Sequence, residues 1–205
     1  MENQTKKHWE TIYQSKSPEE VSWTQIIPKT SLDFIHSFGF SKSASIIDIG
    51  GGQSNLVDFL LNEGYKNITV LDISAKALEN TQKRLNNKAK YVKWIVSDIT
   101  EFKPDTTYQI WHDRATFHFL TTKEQIAKYL DTARHCVNGY MTLGTFSTDG
   151  PKKCSGLEIK QYNEQTLAKE LEVGFKKLKC ITEDHVTPFN TTQNFLFCSF
   201  KSKNH

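Results

Sequence analysis

The sequence has no C-x-x-C pair, no long apolar run and no block of like charge, and each gap removes a class of protein. Its four cysteines, Cys136, Cys154, Cys180 and Cys198, are too scattered for a zinc knuckle or a disulfide framework, so reduced thiols and no metal site are expected. No segment approaches membrane-spanning length, and Met1 to Trp9 lack the apolar core of a signal peptide, which predicts a soluble, cytoplasmic chain without a membrane partner. The 26 basic residues are nearly matched by 23 acidic ones, a net charge of +3, so nucleic acid is not an expected partner. Internal repeats, low-complexity tracts and linkers are also missing. A chain of 205 residues suits one sizeable core, and nothing in it demands more than a monomer.

What is present is an alternation of short β-branched runs with amphipathic helices, the pattern of parallel βαβ units. Strands are predicted at Ser45 to Ile49, Ile68 to Ile73, Val92 to Ile99, Tyr108 to His112 and Tyr140 to Phe146. Two more are predicted at Phe175 to Ile181 and Phe195 to Phe200, the last apolar on both faces and so well buried. Ser74 is placed to cap a helix with Ala77, Leu78, Thr81 and Leu85 inward, and Thr121 to Glu124 reads as a capping box for another. A further helix is predicted over Asn163 to Val173. Ahead of this core, Trp9, Ile12 and Tyr13 share a helical face, Val21 and Trp23 alternate as in extended chain, and Pro28 to Phe38 reads as a short helix. The expectation is one domain: residues 1–43 as an N-terminal lid over a doubly wound, mostly parallel α/β core at 44–205.

The first strand ends in Asp48-Ile49-Gly50-Gly51-Gly52-Gln53-Ser54-Asn55. A strand feeding glycines is how doubly wound folds bring a ligand close to the backbone at the carboxyl end of the sheet. A dinucleotide fingerprint wants a third glycine where Asn55 stands, and no Gly-Lys-Ser or Gly-Lys-Thr follows to make a P-loop. Asp72, about 20 residues on at the end of strand two, suits a ribose with two hydroxyls to donate. Asp98, in Ser97-Asp98-Ile99, can accept from an exocyclic amine while Ile99 offers an apolar edge. Three strand ends in succession therefore point to an adenosine-like ligand.

With these motifs the chain resembles the class I S-adenosylmethionine-dependent methyltransferases: Asp48 to Gly52 as their first motif, Leu71-Asp72-Ile73 as the second and Ser97-Asp98-Ile99 as the third. The resemblance implies a Rossmann-like, seven-stranded sheet with an antiparallel last strand, and S-adenosylmethionine as cofactor. It implies that Gly50, Gly51, Gly52 and the neighbouring Asn55 lie under the methionine and ribose, and that Asp48 helps hold the methionine end. Asp72 with Ile73 would meet the ribose, and Asp98 with Ser97 and Ile99 the adenine.

After strand four, Trp111 to Leu120 crowds titratable and aromatic groups where ligands bind. The Asp113-Arg114 pair resembles small stand-alone methyltransferases distantly like the thiopurine methyltransferases, in which an N-terminal aromatic segment closes over the cofactor. Asp113 is expected to contact the methionine amino group or orient the substrate, and Arg114 to form a salt bridge or meet an anionic substrate group. The Asn/Asp-Pro-Pro-aromatic motif of adenine and glutamine-amide methylation is missing, which argues against those acceptors. His112 and His118 are candidate general bases or structural histidines. Trp9, Tyr13 and Trp23 are candidates to stack on adenine or face the sulfonium, a cation–π contact worth roughly 0.5–2 kcal/mol, or simply to pack. Lysines beside Cys154 would lower its pKa if the thiol is functional, and His185 with Thr187 to Phe189 border the acceptor pocket or form a turn.

Methyl transfer from a sulfonium is an in-line displacement in which positioning alone supplies roughly 7–11 kcal/mol, so no dedicated catalytic residue is required. The favoured expectation is a small-molecule acceptor. A protein lysine methyltransferase and a non-catalytic cofactor-binding module are the rivals.

Overall fold

The computed structural model describes residues 4–203, so the first three residues of the Met1 to Trp9 stretch lie outside it. Seven strands form one sheet: β1 (Ser45–Ile49), β2 (Asn67–Asp72), β3 (Val92–Val96), β4 (Tyr108–Arg114), β5 (Val137–Phe146), β8 (Phe175–Val186) and β9 (Thr192–Ser202). Their order is β3-β2-β1-β4-β5-β9-β8. Only β9 runs against its neighbours, inserted between β5 and β8. This is the expected Rossmann-like, mostly parallel sheet. Two short strands, β6 (Lys153–Cys154) and β7 (Leu157–Glu158), pair separately as a hairpin that the sequence pattern did not predict, being too short to show periodicity.

Helices cover both faces. On one side α2 (Lys29–Ser37), α3 (Leu56–Asn62) and α4 (Ala75–Leu85) bury Leu32, Ile35, Leu56, Leu60, Leu78 and Leu85 against Ile46, Ile68 and Val70. On the other, α5 (Lys123–Cys136) and α6 (Glu164–Leu171) bury Ile126, Tyr129, Leu130, Leu167 and Leu171 against Trp111, Met141 and Leu143. In β9 the alternation divides the two cores: Phe195 and Phe197 join Phe34 and Phe146, while Leu196, Cys198 and Phe200 face α5 and α6. Among the described residues no helix is long and apolar enough to cross a membrane.

Several local expectations need correction. Val21 to Trp23 is not extended; a 3-10 turn at Pro18–Glu20 leads into a tight turn through it. The box opening α5 is one residue later than expected, with Thr122 accepting from the Gln125 amide and the Gln125 side chain accepting from the Thr122 amide. Strand β3 stops at Val96, three residues early, and β4 runs two residues past His112. Cys180 and Cys198 are not reduced thiols. The antiparallel register sets them directly opposite, with Cα atoms 4.1 Å apart and sulfurs bonded.

Inside the larger core, the Tyr129 hydroxyl donates to Asp113 Oδ2 at 2.8 Å and accepts from Trp111 Nε1 at 2.7 Å. All three groups are buried, so one hydroxyl keeps two others satisfied. Tyr129→Phe should therefore destabilise the protein by about 2–4 kcal/mol, read as a lower urea midpoint. A loss under about 0.5 kcal/mol would mean that the indole and the carboxylate find other partners.

Candidate active site

The carboxyl ends of β1, β2, β3 and β4 converge on a cavity of about 360 Å³. Gly50, Asp72, Ile73, Ser97, Asp98 and Ile99 line one end, and Arg114, Phe119, Cys154 and Leu157 the other. Trp9, Tyr13 and Trp23 close it from the N-terminal side. The Trp9 ring meets Trp23 and Phe119 edge-on, at 5.6 Å and 5.2 Å between centroids. A smaller adjoining cavity is lined by Asp48, Gly50, Gly51, Asn55, His112 and Arg114.

The glycine turn is built around other functional atoms. Gly50 and Gly52 take positive φ, 65° and 37°, which disfavours any side chain there. A Cβ on Gly50 would overlap Thr116 Oγ1, and one on Gly51 would lie 2.6 Å from Asp48 Oδ2. At Gly52 it would lie 2.9 Å from both Asp72 Oδ2 and the Tyr13 hydroxyl. Gly52 lines neither cavity; its bare backbone makes room for the Tyr13 and Asp72 side chains. Asn55 donates to the Gln25 and Ile26 carbonyls, 3.0 and 3.3 Å, so its amide holds the segment leading into α2.

Asp72 accepts from the Ser74 amide at 2.8 Å, and burial pushes its pKa up to about 7 despite that bond. Asp98 Oδ1 accepts from the amide and hydroxyl of Thr100, at 2.9 and 2.8 Å. Glu10, on α1 (Gln4–Ser15), was not singled out from sequence. Its carboxylate accepts from the Ala75 and Lys76 amides and the Ser74 hydroxyl, at 2.8, 3.1 and 3.0 Å, and so caps α4 just after Asp72. Asn80 on α4 donates to the Tyr13 carbonyl at 3.2 Å. The aromatic segment is thereby fastened beside Asp72.

Other expected residues are drawn into the scaffold. Asp113 points away from the cavities. Its Oδ1 accepts from the Thr116 and Phe117 amides at 2.9 and 3.2 Å, its Oδ2 from Tyr129, and burial raises its pKa to about 6. The extension of β4 explains the correction: strand alternation sends Asp113 to the α5 face and Arg114 to the opposite one. His118 lines neither cavity. It is stacked on Phe146 with Nδ1 accepting from the Phe146 amide at 3.2 Å, and burial lowers its pKa to about 3, so it is no general base here. His112 bridges Asp48 Oδ1 and the Ser31 hydroxyl at 2.7 and 2.8 Å. His185 donates through Nε2 to the Ser22 carbonyl at 2.7 Å, while burial lowers its pKa. Burial also pushes the Cys154 thiol up to about 12, overriding any effect of the neighbouring lysines. Arg114 remains at the cavity, its Nη1 donating to the Trp23 carbonyl at 2.9 Å, with burial lowering its pKa to about 10. Among the described residues no cluster of His, Cys, Asp and Glu is suited to hold a metal.

Residues 46–139, from β1 to the start of β5, match a family model described as a methyltransferase domain. That stretch holds the three motifs, and the fold around it is the Rossmann-like fold of the class I S-adenosylmethionine-dependent methyltransferases. The chain is 24% identical over 119 residues to the eEF1A lysine and N-terminal methyltransferase of Mus musculus, covering 58% of this chain and 17% of that protein. It is 28% identical over 106 residues to malonyl-[acyl-carrier protein] O-methyltransferase 2 of Ilyobacter polytropus, covering 51% and 40%. The chain thus spans less than half the length of these curated relatives. The Burkholderia thailandensis 1,6-didemethyltoxoflavin-N1-methyltransferase, solved with 1,6-didemethyltoxoflavin and S-adenosylhomocysteine, shares the fold. Its TM-score is 0.70 at 14% identity, over 97% of this chain and 87% of that one.

The raised pKa of Asp72 has a measurable consequence for the empty protein. Between the ordinary carboxyl pKa near 4 and the folded value of about 7, the native state holds a proton that the unfolded chain has released. The stability that this proton linkage provides is full below the unfolded pKa and is lost as pH rises through the folded one. Wild type should therefore lose stability relative to Asp72→Asn as pH climbs from about 4 to about 7, measured by urea denaturation across that range. Parallel profiles for the two proteins would contradict the buried, protonatable carboxyl.

Proposed function

We propose that this chain transfers the methyl group of S-adenosylmethionine to a small-molecule acceptor. The observation that carries the reading is one cavity joining Gly50, Asp72 and Asp98 at successive strand ends and roofed by Trp9, Tyr13 and Trp23. At about 360 Å³ it falls in the range of small-ligand sites. Asp72 accepts from the ribose hydroxyls and Asp98 from the adenine amine, with Ile73 and Ile99 as apolar walls. The turn at Gly50 and Gly51, beside Asp48 in the smaller cavity, receives the methionine portion.

When bound, S-adenosylmethionine supplies a methyl on a sulfonium, whose electron pair stays on sulfur as the acceptor's lone pair forms the new bond. The protein's part is alignment and exclusion of water. The indoles of Trp9 and Trp23 hold the acceptor end closed, and Arg114 faces the same space. An aromatic roof that narrows access to the cavity favours a small acceptor over a protein lysine, which needs an open groove.

Titration calorimetry with S-adenosylhomocysteine tests the cofactor assignment. Asp72→Ala should weaken binding by about 1.5–3 kcal/mol, the scale of hydrogen bonds to a charged group. Binding of NAD without S-adenosylhomocysteine would overturn the reading. Methyl-labelled cofactor incubated with a metabolite extract, and separately with a protein extract, should label the former. Label confined to protein would favour the lysine methyltransferase, and none in either the binding module.

A further inference from the structure

Arg114 carries hydrogen-bonding capacity that the protein leaves unused. Its guanidinium lies over the Phe195 ring, 4.6 Å from the centroid, and Nη1 is held by the Trp23 carbonyl. Nε and Nη2 are buried and, among the described residues, have no partner. These two nitrogens form one edge of the guanidinium, whose parallel N–H bonds match the two oxygens of a carboxylate. Glu183 offsets part of the charge from β8 but makes no ion pair with Arg114, and its own Oε2 is buried without a partner among the described residues. Unmet buried donors are costly, and Arg114 lines both cavities, so a group bound there can supply the missing acceptor.

Its surroundings indicate which group. Phe195 belongs to β9, on one side of Arg114's strand β4 in the sheet, whereas Asp72 ends β2 and Asp98 follows β3 on the other. Trp9, Trp23 and Phe119 supply apolar walls around Arg114. We propose that Arg114 clasps a carboxylate of the methyl acceptor, which makes the acceptors small, partly apolar carboxylic acids methylated at another atom. The inference rests on the methyl-transfer reading above. It also names Arg114 as the residue that selects acidic acceptors over neutral ones of the same shape.

The test uses the full chain, methyl-labelled S-adenosylmethionine and a metabolite extract divided by anion exchange into retained and unretained fractions. Label should enter compounds from the retained fraction. In Arg114→Gln and in Arg114→Lys, which keeps the charge but loses the fork, that labelling should fall about 10- to 150-fold at S-adenosylmethionine concentrations that saturate each variant. Saturable binding also shows that the variants are folded. Label arising only from the unretained fraction would overturn the inference. So would variants that bind S-adenosylhomocysteine poorly but bind methylthioadenosine, which lacks the amino-acid tail, as wild type does; the guanidinium would then serve the cofactor's own carboxylate. A wild-type protein that binds no S-adenosylhomocysteine would remove the methyl-transfer reading first, and this inference with it.

Discussion

Several parts of the candidate site press on the glycine turn at places where a side chain would otherwise be. Thr116 from the loop after β4 fills the space over Gly50, Asp48 from β1 that over Gly51, and Asp72 from β2 with Tyr13 from α1 that over Gly52. Three segments far apart in sequence, and the end of β1 itself, are fixed against one short stretch of bare backbone. Packed interiors yield little, so displacement at one of these contacts is passed to the others. The glycines therefore serve the assembly of the site as well as any ligand above it.

The same economy governs the carboxylates. Glu10, Asp72, Asp98 and Asp113 each accept from backbone amides at the start of a turn or helix, where donors are otherwise unsatisfied. Asp72 is the exception in degree. With one amide at 2.8 Å, its burial still raises the pKa to about 7, whereas hydroxyl donors from a ribose would favour the charged form. Glu10 adds a negative group nearby while capping α4. The fastening of the aromatic segment thus raises the cost of ionising Asp72, a cost that the proposed ribose hydroxyls would offset.

The strands, the glycine turn and the positions of Asp72 and Asp98 were legible because each depends on local periodicity or on the end of a strand. Asp113 was misread because strand alternation has period two: once β4 extends to Arg114, the paired residues must face opposite sides of the sheet. His118 was indistinguishable from a base until its stacking on Phe146 was seen. Glu10 and the Cys180–Cys198 bond depend on contacts between separate elements, for which residue spacing carries no signal, and the β6–β7 hairpin is too short to show periodicity.

Removing Asp113 and His118 from the cavity changes what its chemistry can require. Of the remaining acidic groups, Asp72 and Asp98 are proposed for the adenosine end, and Glu158 sits on the hairpin surface paired with Lys153 at 2.6 Å. Cys154, its pKa pushed to about 12, keeps its proton at neutral pH. Among the described residues at the proposed acceptor end, none is both placed and poised to take a proton as the methyl moves. An acceptor used by such a site must arrive with its lone pair exposed and lose any proton to solvent after the transfer. The barrier is then lowered by alignment, and the rigid contacts around the glycine turn are what alignment needs.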